Sequence, residues 1–69
     1  MRPPALRAIN GIAVSVEYVP ETNSTFVFPF ERTFFTSEEV SIVANALRKE
    51  GHHVFYERDL YIEYETVDV

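Results

Sequence analysis

TSEEVSIVANALRKEG, residues 36–51, and the HHVFYERDLYIEY that follows at 52–64 decide the fold. Thr36-Ser37-Glu38-Glu39 has the form of a capping box. In that motif a hydroxyl accepts from the backbone N–H three residues on, and the glutamate there reaches back. Phe35 before the cap and Val40 after it are placed for a hydrophobic staple. Glu38 and Glu39 fall in the first turn, where the helix dipole favours negative charge, and Arg48 and Lys49 fall in the last. Val40, Val43, Ala44 and Leu47 repeat at the spacing of one apolar helix face. Gly51 fits the left-handed residue that ends many helices. The spacing predicts a helix over residues 37–50.

After Gly51 the period changes to two. Val54 and Tyr56 alternate with His53, Phe55 and Glu57; Leu60, Ile62 and Tyr64 alternate with Tyr61, Glu63 and Glu65. Arg58-Asp59 between the runs reads as a tight turn, so the two strands are antiparallel, because so short a connection cannot make a parallel crossover. Working back from the helix, Ser24 to Phe30 reads as a strand with Phe26, Phe28 and Phe30 on one side. Pro29 cannot donate to a ladder, which predicts an edge strand or a bulge. Pro20-Glu21-Thr22-Asn23 is a loop by composition. Ile12 to Val19 is a strand, with Ile12, Val14, Val16 and Tyr18 facing one way. Asn10-Gly11 is a turn dipeptide that either closes a small hairpin with Leu6–Ile9 or serves as an entry turn. Ala5 to Ile9 reads equally as a short strand or a helical turn. Met1 to Pro4 is expected to be extended or disordered, and Val67 to Val69 a frayed tail.

The pattern β-β-α-β-β predicts one small α+β domain over residues 1–69. Its antiparallel sheet would have about four strands, with one helix packed on one face. The expected core face of the sheet is Ile12, Val14, Val16, Phe26, Phe28, Val54, Tyr56, Leu60 and Ile62. A chain of 69 residues buries only about 60% of its unfolded surface. Six Phe and four Tyr can supply the missing core volume or serve a partner.

The net charge is −5, and five of the eleven acids (Glu57, Asp59, Glu63, Glu65, Asp68) lie in the last thirteen residues against one base, Arg58. A protein that grips phosphate backbone carries the opposite balance, so direct nucleic-acid binding is not expected. The charge suits a basic protein surface, such as the nucleic-acid groove of a larger protein. No stretch approaches the roughly 20 apolar residues of a membrane span. The absence of cysteine excludes disulfides and thiolate metal sites and leans towards a cytoplasmic setting. The chain reads as mature and soluble.

Catalytic patterns are missing. Ser37, His53 and Asp59 do not make a triad: helix capping accounts for Ser37, and no nucleophile elbow surrounds it. Adjacent His52 and His53 point to opposite sides of a strand and make a poor chelating pair. Two glycines leave no room for a phosphate loop. Asn23-Ser24-Thr25 satisfies the glycosylation sequon but reads as an ordinary turn. No enzyme activity, metal or cofactor is expected.

Two surfaces remain. If Leu60, Ile62 and Tyr64 point inward, Tyr61, Glu63 and Glu65 point outward together. The two glutamates would then stand about 7 Å apart, near the spacing of successive phosphates on one strand. Glu57 and Asp59 adjoin them in sequence, and Glu17 joins if its strand is a neighbour. The plain alternative is a solvated outer face that keeps the protein soluble and blocks edge pairing. Phe26, Phe28, Phe30, Phe34 and Phe35 exceed what one short helix can cover. Phe30 and Phe34 are therefore candidates for a hydrophobic interface or a dimer seam.

In size, acidity, lack of cysteine and bare ββαββ scaffold, the chain resembles the small inhibitor proteins of bacteriophages, including anti-CRISPR proteins. The resemblance covers general shape and carries no residue. It implies a non-enzymatic protein that blocks a basic nucleic-acid-binding surface of a larger effector. The expected contacts are Glu57, Asp59, Tyr61, Glu63 and Glu65, with Glu17 secondary. The alternative is a structural or assembly module that self-associates or docks through the Phe-rich hairpin.

Overall fold

Two residues in the left-handed region, Asn10 at φ 48° and Gly11 at φ 81°, reverse the chain between its first two strands. This is the two-residue hairpin whose twist matches that of the flanking strands. The computed structural model describes residues 4–66; the expectations for Met1–Pro3 and Val67–Val69 lie outside them. Ala5–Ile9 is a strand, β1, paired with β2 at Ile12–Val19. A four-residue reversal, Pro20 to Asn23, leads to β3 at Ser24–Pro29. Then come helix α1 at Ser37–Lys49, β4 at His53–Glu57 and β5 at Ile62–Glu65. The α+β architecture is as expected, with five strands rather than about four, because β1 precedes the ββαββ pattern.

The sheet is antiparallel throughout, in the order β1-β2-β3-β5-β4. β3 is therefore an interior strand, not the edge that Pro29 suggested. The proline is accommodated by position. The Phe30 N–H reaches the Ala13 carbonyl of β2 at 3.2 Å. The missing N–H of Pro29, one residue earlier, thus faces the β5 side. The last pair between β3 and β5 is Val27 with Ile62, so no ladder bond is lost there.

The helix begins and ends as its sequence dictates. The Glu39 N–H donates to the Thr36 hydroxyl at 3.1 Å, and the Thr36 N–H donates to the Glu39 carboxylate at 2.9 Å. Arg32 holds the same carboxylate with both guanidinium nitrogens. At the other end the Gly51 N–H donates to the Arg48 carbonyl and the His52 N–H to the Leu47 carbonyl. With Gly51 at φ 96°, this is a Schellman termination. Val43, Ala44 and Leu47 of the helix meet Val14, Val27 and Ile62 of the sheet, all fully buried. Phe35 and Tyr64 belong to the same buried cluster.

Four expected core residues lie elsewhere. Register places Val14 opposite Pro29 and Val16 opposite Val27. Cross-strand partners share a face, so Thr25, Val27 and Pro29 face the helix while Phe26 and Phe28 occupy the opposite face. In β4 the register slips between Val54 and Tyr56. Phe55 is the extra residue of a bulge, and Tyr56 consequently shares the face of Glu63 instead of following Val54 inward. The β4–β5 reversal is closed by the Arg58 N–H on the Tyr61 carbonyl. Its tip is Asp59-Leu60, one residue later than expected, and Leu60 is half exposed.

Candidate functional site

One face of the sheet is covered by α1. The other carries two aligned rows of side chains. Glu17 of β2, Phe26 of β3, Glu63 of β5 and Tyr56 of β4 are successive cross-strand partners. Leu6, Ser15 and Phe28 form the next row, which Tyr61 continues by ring contact with Phe28. Glu17 and Glu63 flank Phe26, two strand spacings or about 10 Å apart. Glu65 lies beyond Glu63 on the same face, opposite His53, whose Nδ1 is 3.5 Å from its carboxylate.

The rings form a continuous patch beside these carboxylates, with Phe26 between Glu17 and Glu63 and the other three rings adjoining. Tyr61 lies 5.3 Å from Phe26, 5.8 Å from Phe28 and 4.6 Å from Tyr56, centroid to centroid. Phe26 and Phe28 stack at 6.2 Å. All four rings are partly exposed. The Arg58 guanidinium sits over Tyr56 at 5.6 Å, within the range of a cation–π contact. Burial against its neighbours, together with Tyr56 and the Glu63 charge, pushes the Tyr61 phenol above its ordinary value. The hydroxyl thus holds its proton beside the carboxylate.

Of the six residues expected to make contacts, four share this face: Glu17, Tyr61, Glu63 and Glu65. Glu57 does not. The bulge turns it to the helix side with Ile62, where it forms an ion pair with Arg48 of α1. Asp59 is at the hairpin tip, and its carbonyl accepts from the Phe35 N–H at 2.7 Å, which ties the tip to the start of the helix. Phe30, beyond β3, is half-buried; Phe34 is 53% exposed on the approach to the helix. His52 and His53 diverge, as a strand requires: His52 packs on Tyr64 and His53 on Phe55. Among the described residues no group of three or more His, Cys, Asp or Glu is placed to hold a metal ion, and no helix is long and apolar enough to cross a membrane.

Phe26, Phe28 and Tyr56, expected in the core, pave the open face instead. For the two phenylalanines a signal existed in the sequence. A reversal of four residues, 20–23, pairs position 19 with 24. That parity sets even-numbered Val14 and Val16 against odd-numbered partners. For Tyr56 no such signal existed, because nothing in HVFYE announces a bulge.

This arrangement can form ion pairs and cation–π contacts with basic side chains while burying flat aromatic area. The chain matches no protein-family model, no curated protein and no solved structure.

Proposed function

We propose that the chain is a non-enzymatic binding protein whose open sheet face docks on a basic surface of a larger protein. The observation that carries this reading is the row Glu17–Phe26–Glu63. Two carboxylates flank Phe26, one ring of an aromatic patch, on the sheet face opposite the helix. Aromatic rings among acids suit arginine-rich surfaces, where each guanidinium can lie on a ring and pair with a carboxylate. Surfaces of that kind bind nucleic acid. The partner on this reading is a nucleic-acid-handling effector in the cytoplasm, and the mechanism is steric and electrostatic competition for its nucleic-acid site. Small phage inhibitors of the anti-CRISPR type work in the same general manner.

Glu17, Tyr61, Glu63 and Glu65 make the contacts. Glu57 and Asp59 stand outside the face and add only to the long-range field. Replacing Glu63 and Glu65 together by lysine removes binding and leaves the fold intact, since neither side chain reaches the helix-covered core. The test is capture of the partner by wild-type and doubly substituted protein at low and high salt. Salt-sensitive capture lost in the variant supports the reading, and equal capture by both proteins overturns it.

A second reading rests on Phe34, more than half exposed on a loop between sheet and helix. Here Phe30 and Phe34 dock the domain into an assembly and the acids serve solubility. Phe34→Ser then abolishes assembly while the open-face substitutions leave it unchanged.

A further inference from the structure

The two edges of the sheet are built differently. β4 is interrupted by the bulge at Phe55 and carries His53 and Glu57 at its ends, devices that discourage edge pairing. β1 is regular over its five residues. Its charged residue, Arg7, lies on the helix side, 3.1 Å from Glu50. On the open face β1 presents Leu6, 62% exposed.

The hydrogen-bonding groups of β1 can be assigned. In a two-residue hairpin the flanking pair, here Ile9 and Ile12, exchanges hydrogen bonds, and such pairs alternate along the ladder. Ile9, Arg7 and Ala5 therefore bond to β2. The Ala13 carbonyl, reached from the other side by the Phe30 N–H, confirms the alternation, because it points away from Ala8. Leu6 and Ala8 thus direct both N–H and C=O to the open edge, and Pro4 continues the row with a carbonyl alone.

We infer that β1 is a homodimerisation edge, at which a second copy pairs antiparallel about a two-fold axis through Leu6. In that register Leu6 and its symmetry mate exchange two hydrogen bonds. Each Ala8 N–H donates to the Pro4 carbonyl of the other copy, giving four bonds in all. The N–H that proline lacks falls at the outer end of the pairing, where the unmatched Ala8 carbonyl stays in water. Arg7 faces Ala5 across the axis, so no like charges are directly opposed. The two Leu6 side chains meet, and the Leu6–Ser15–Phe28 row runs unbroken into its symmetric copy. A two-fold through Arg7 would set Arg7 against Arg7, one through Ala5 or Pro4 would bring the proline inward, and one through Ala8 would pair Leu6 with Asn10, which sits in the left-handed turn. That self-complementarity is why the occupant is another copy and not an arbitrary strand. The contact is small, below the roughly 1,000 Å² of a stable interface, so the dimer forms at high micromolar concentration. Each copy carries a charge of −5, so salt strengthens this association by screening, opposite to its effect on a basic partner.

Sedimentation velocity from low micromolar to millimolar concentration, at low and high salt, tests the inference alongside amide hydrogen exchange. The weight-average mass should rise from 8.0 kDa towards twice that value, more so at high salt. The Leu6 and Ala8 amides should become protected in step, while the Arg7 amide is protected throughout. Leu6→Pro removes an N–H that β2 does not use and should hold the mass at the monomer value. Leu6→Lys, which sets two charges across the axis, should do the same without a backbone change. A constant mass at millimolar concentration overturns the inference. So does a dimer in which the Leu6 and Ala8 amides still exchange freely, or one unaffected by Leu6→Lys.

Discussion

Phe26 and Glu63 face each other across β3 and β5 on the side of the sheet opposite the helix, while Val27, the next residue along, is sealed between sheet and helix. The core and the proposed binding face are therefore served by adjacent residues of one strand. Val27→Ala should cost about 2 kcal/mol from lost burial and the cavity left behind. At roughly 0.05–0.15 kcal/mol per residue, a 69-residue chain holds only about 3–10 kcal/mol. Phe26→Ala should cost less than the roughly 3–5 kcal/mol of a fully buried Phe, because its ring is partly exposed. Urea denaturation of the two variants checks the order.

The helix start should set the acid limit of stability. Arg32, then the Thr36 backbone, holds the Glu39 carboxyl below its ordinary 4.5. A depressed carboxyl contributes stability above its unfolded value that is lost as pH falls through its folded one. Glu39→Gln should therefore lower the melting temperature at neutral pH and flatten the acid side of its pH profile. Thr36→Ala, which removes the cap oxygen, should cost about 1 kcal/mol at neutral pH.

At the alkaline end the sign reverses. Burial raises the phenols of Tyr61 and Tyr64 above 10.0. The folded state then holds these protons more tightly than the unfolded chain. Stability from both groups is complete below pH 10 and is lost as pH rises through their folded values. Tyr61→Phe should reduce the alkaline slope of melting temperature against pH. Ultraviolet difference titration of the wild type should show two tyrosines ionising late.

The first hairpin depends on backbone conformation. Gly11 at φ 81° has open space around it, so Gly11→Ala meets no clash but must adopt a left-handed conformation. A loss of about 1 kcal/mol or more is expected. Hydrogen exchange should show it concentrated in β1, whose other edge pairs with no strand among the described residues.

The sequence makes the helix legible to its caps because every determinant is local: Thr36, Glu39 and Gly51 each act within a turn. The strands are legible as strands, and so is the outward set Tyr61, Glu63 and Glu65, because Ile62 and Tyr64 leave no alternative. What is hidden depends on register. Both parities of STFVFP are apolar, so β3 does not itself say whether its phenylalanines or Val27 go inside. The bulge at Phe55 moves Tyr56 onto the open face and Glu57 to Arg48, and only pairing with β5 reveals it. Pro29 misleads in the same way, since its missing donor matters only where a neighbouring strand extends that far.

One comparison tests the open face as the proposed binding surface most directly. Partner capture should be measured in parallel for wild type, for Glu17→Lys with Glu63→Lys, and for Glu21→Lys with Glu38→Lys, a charge-matched pair placed in the β2–β3 reversal and the first helical turn. The open-face pair should lose a partner that wild type and the control pair retain at low salt. Equal loss in both pairs would reduce the effect to net charge, and retention by both would contradict the open face as the site.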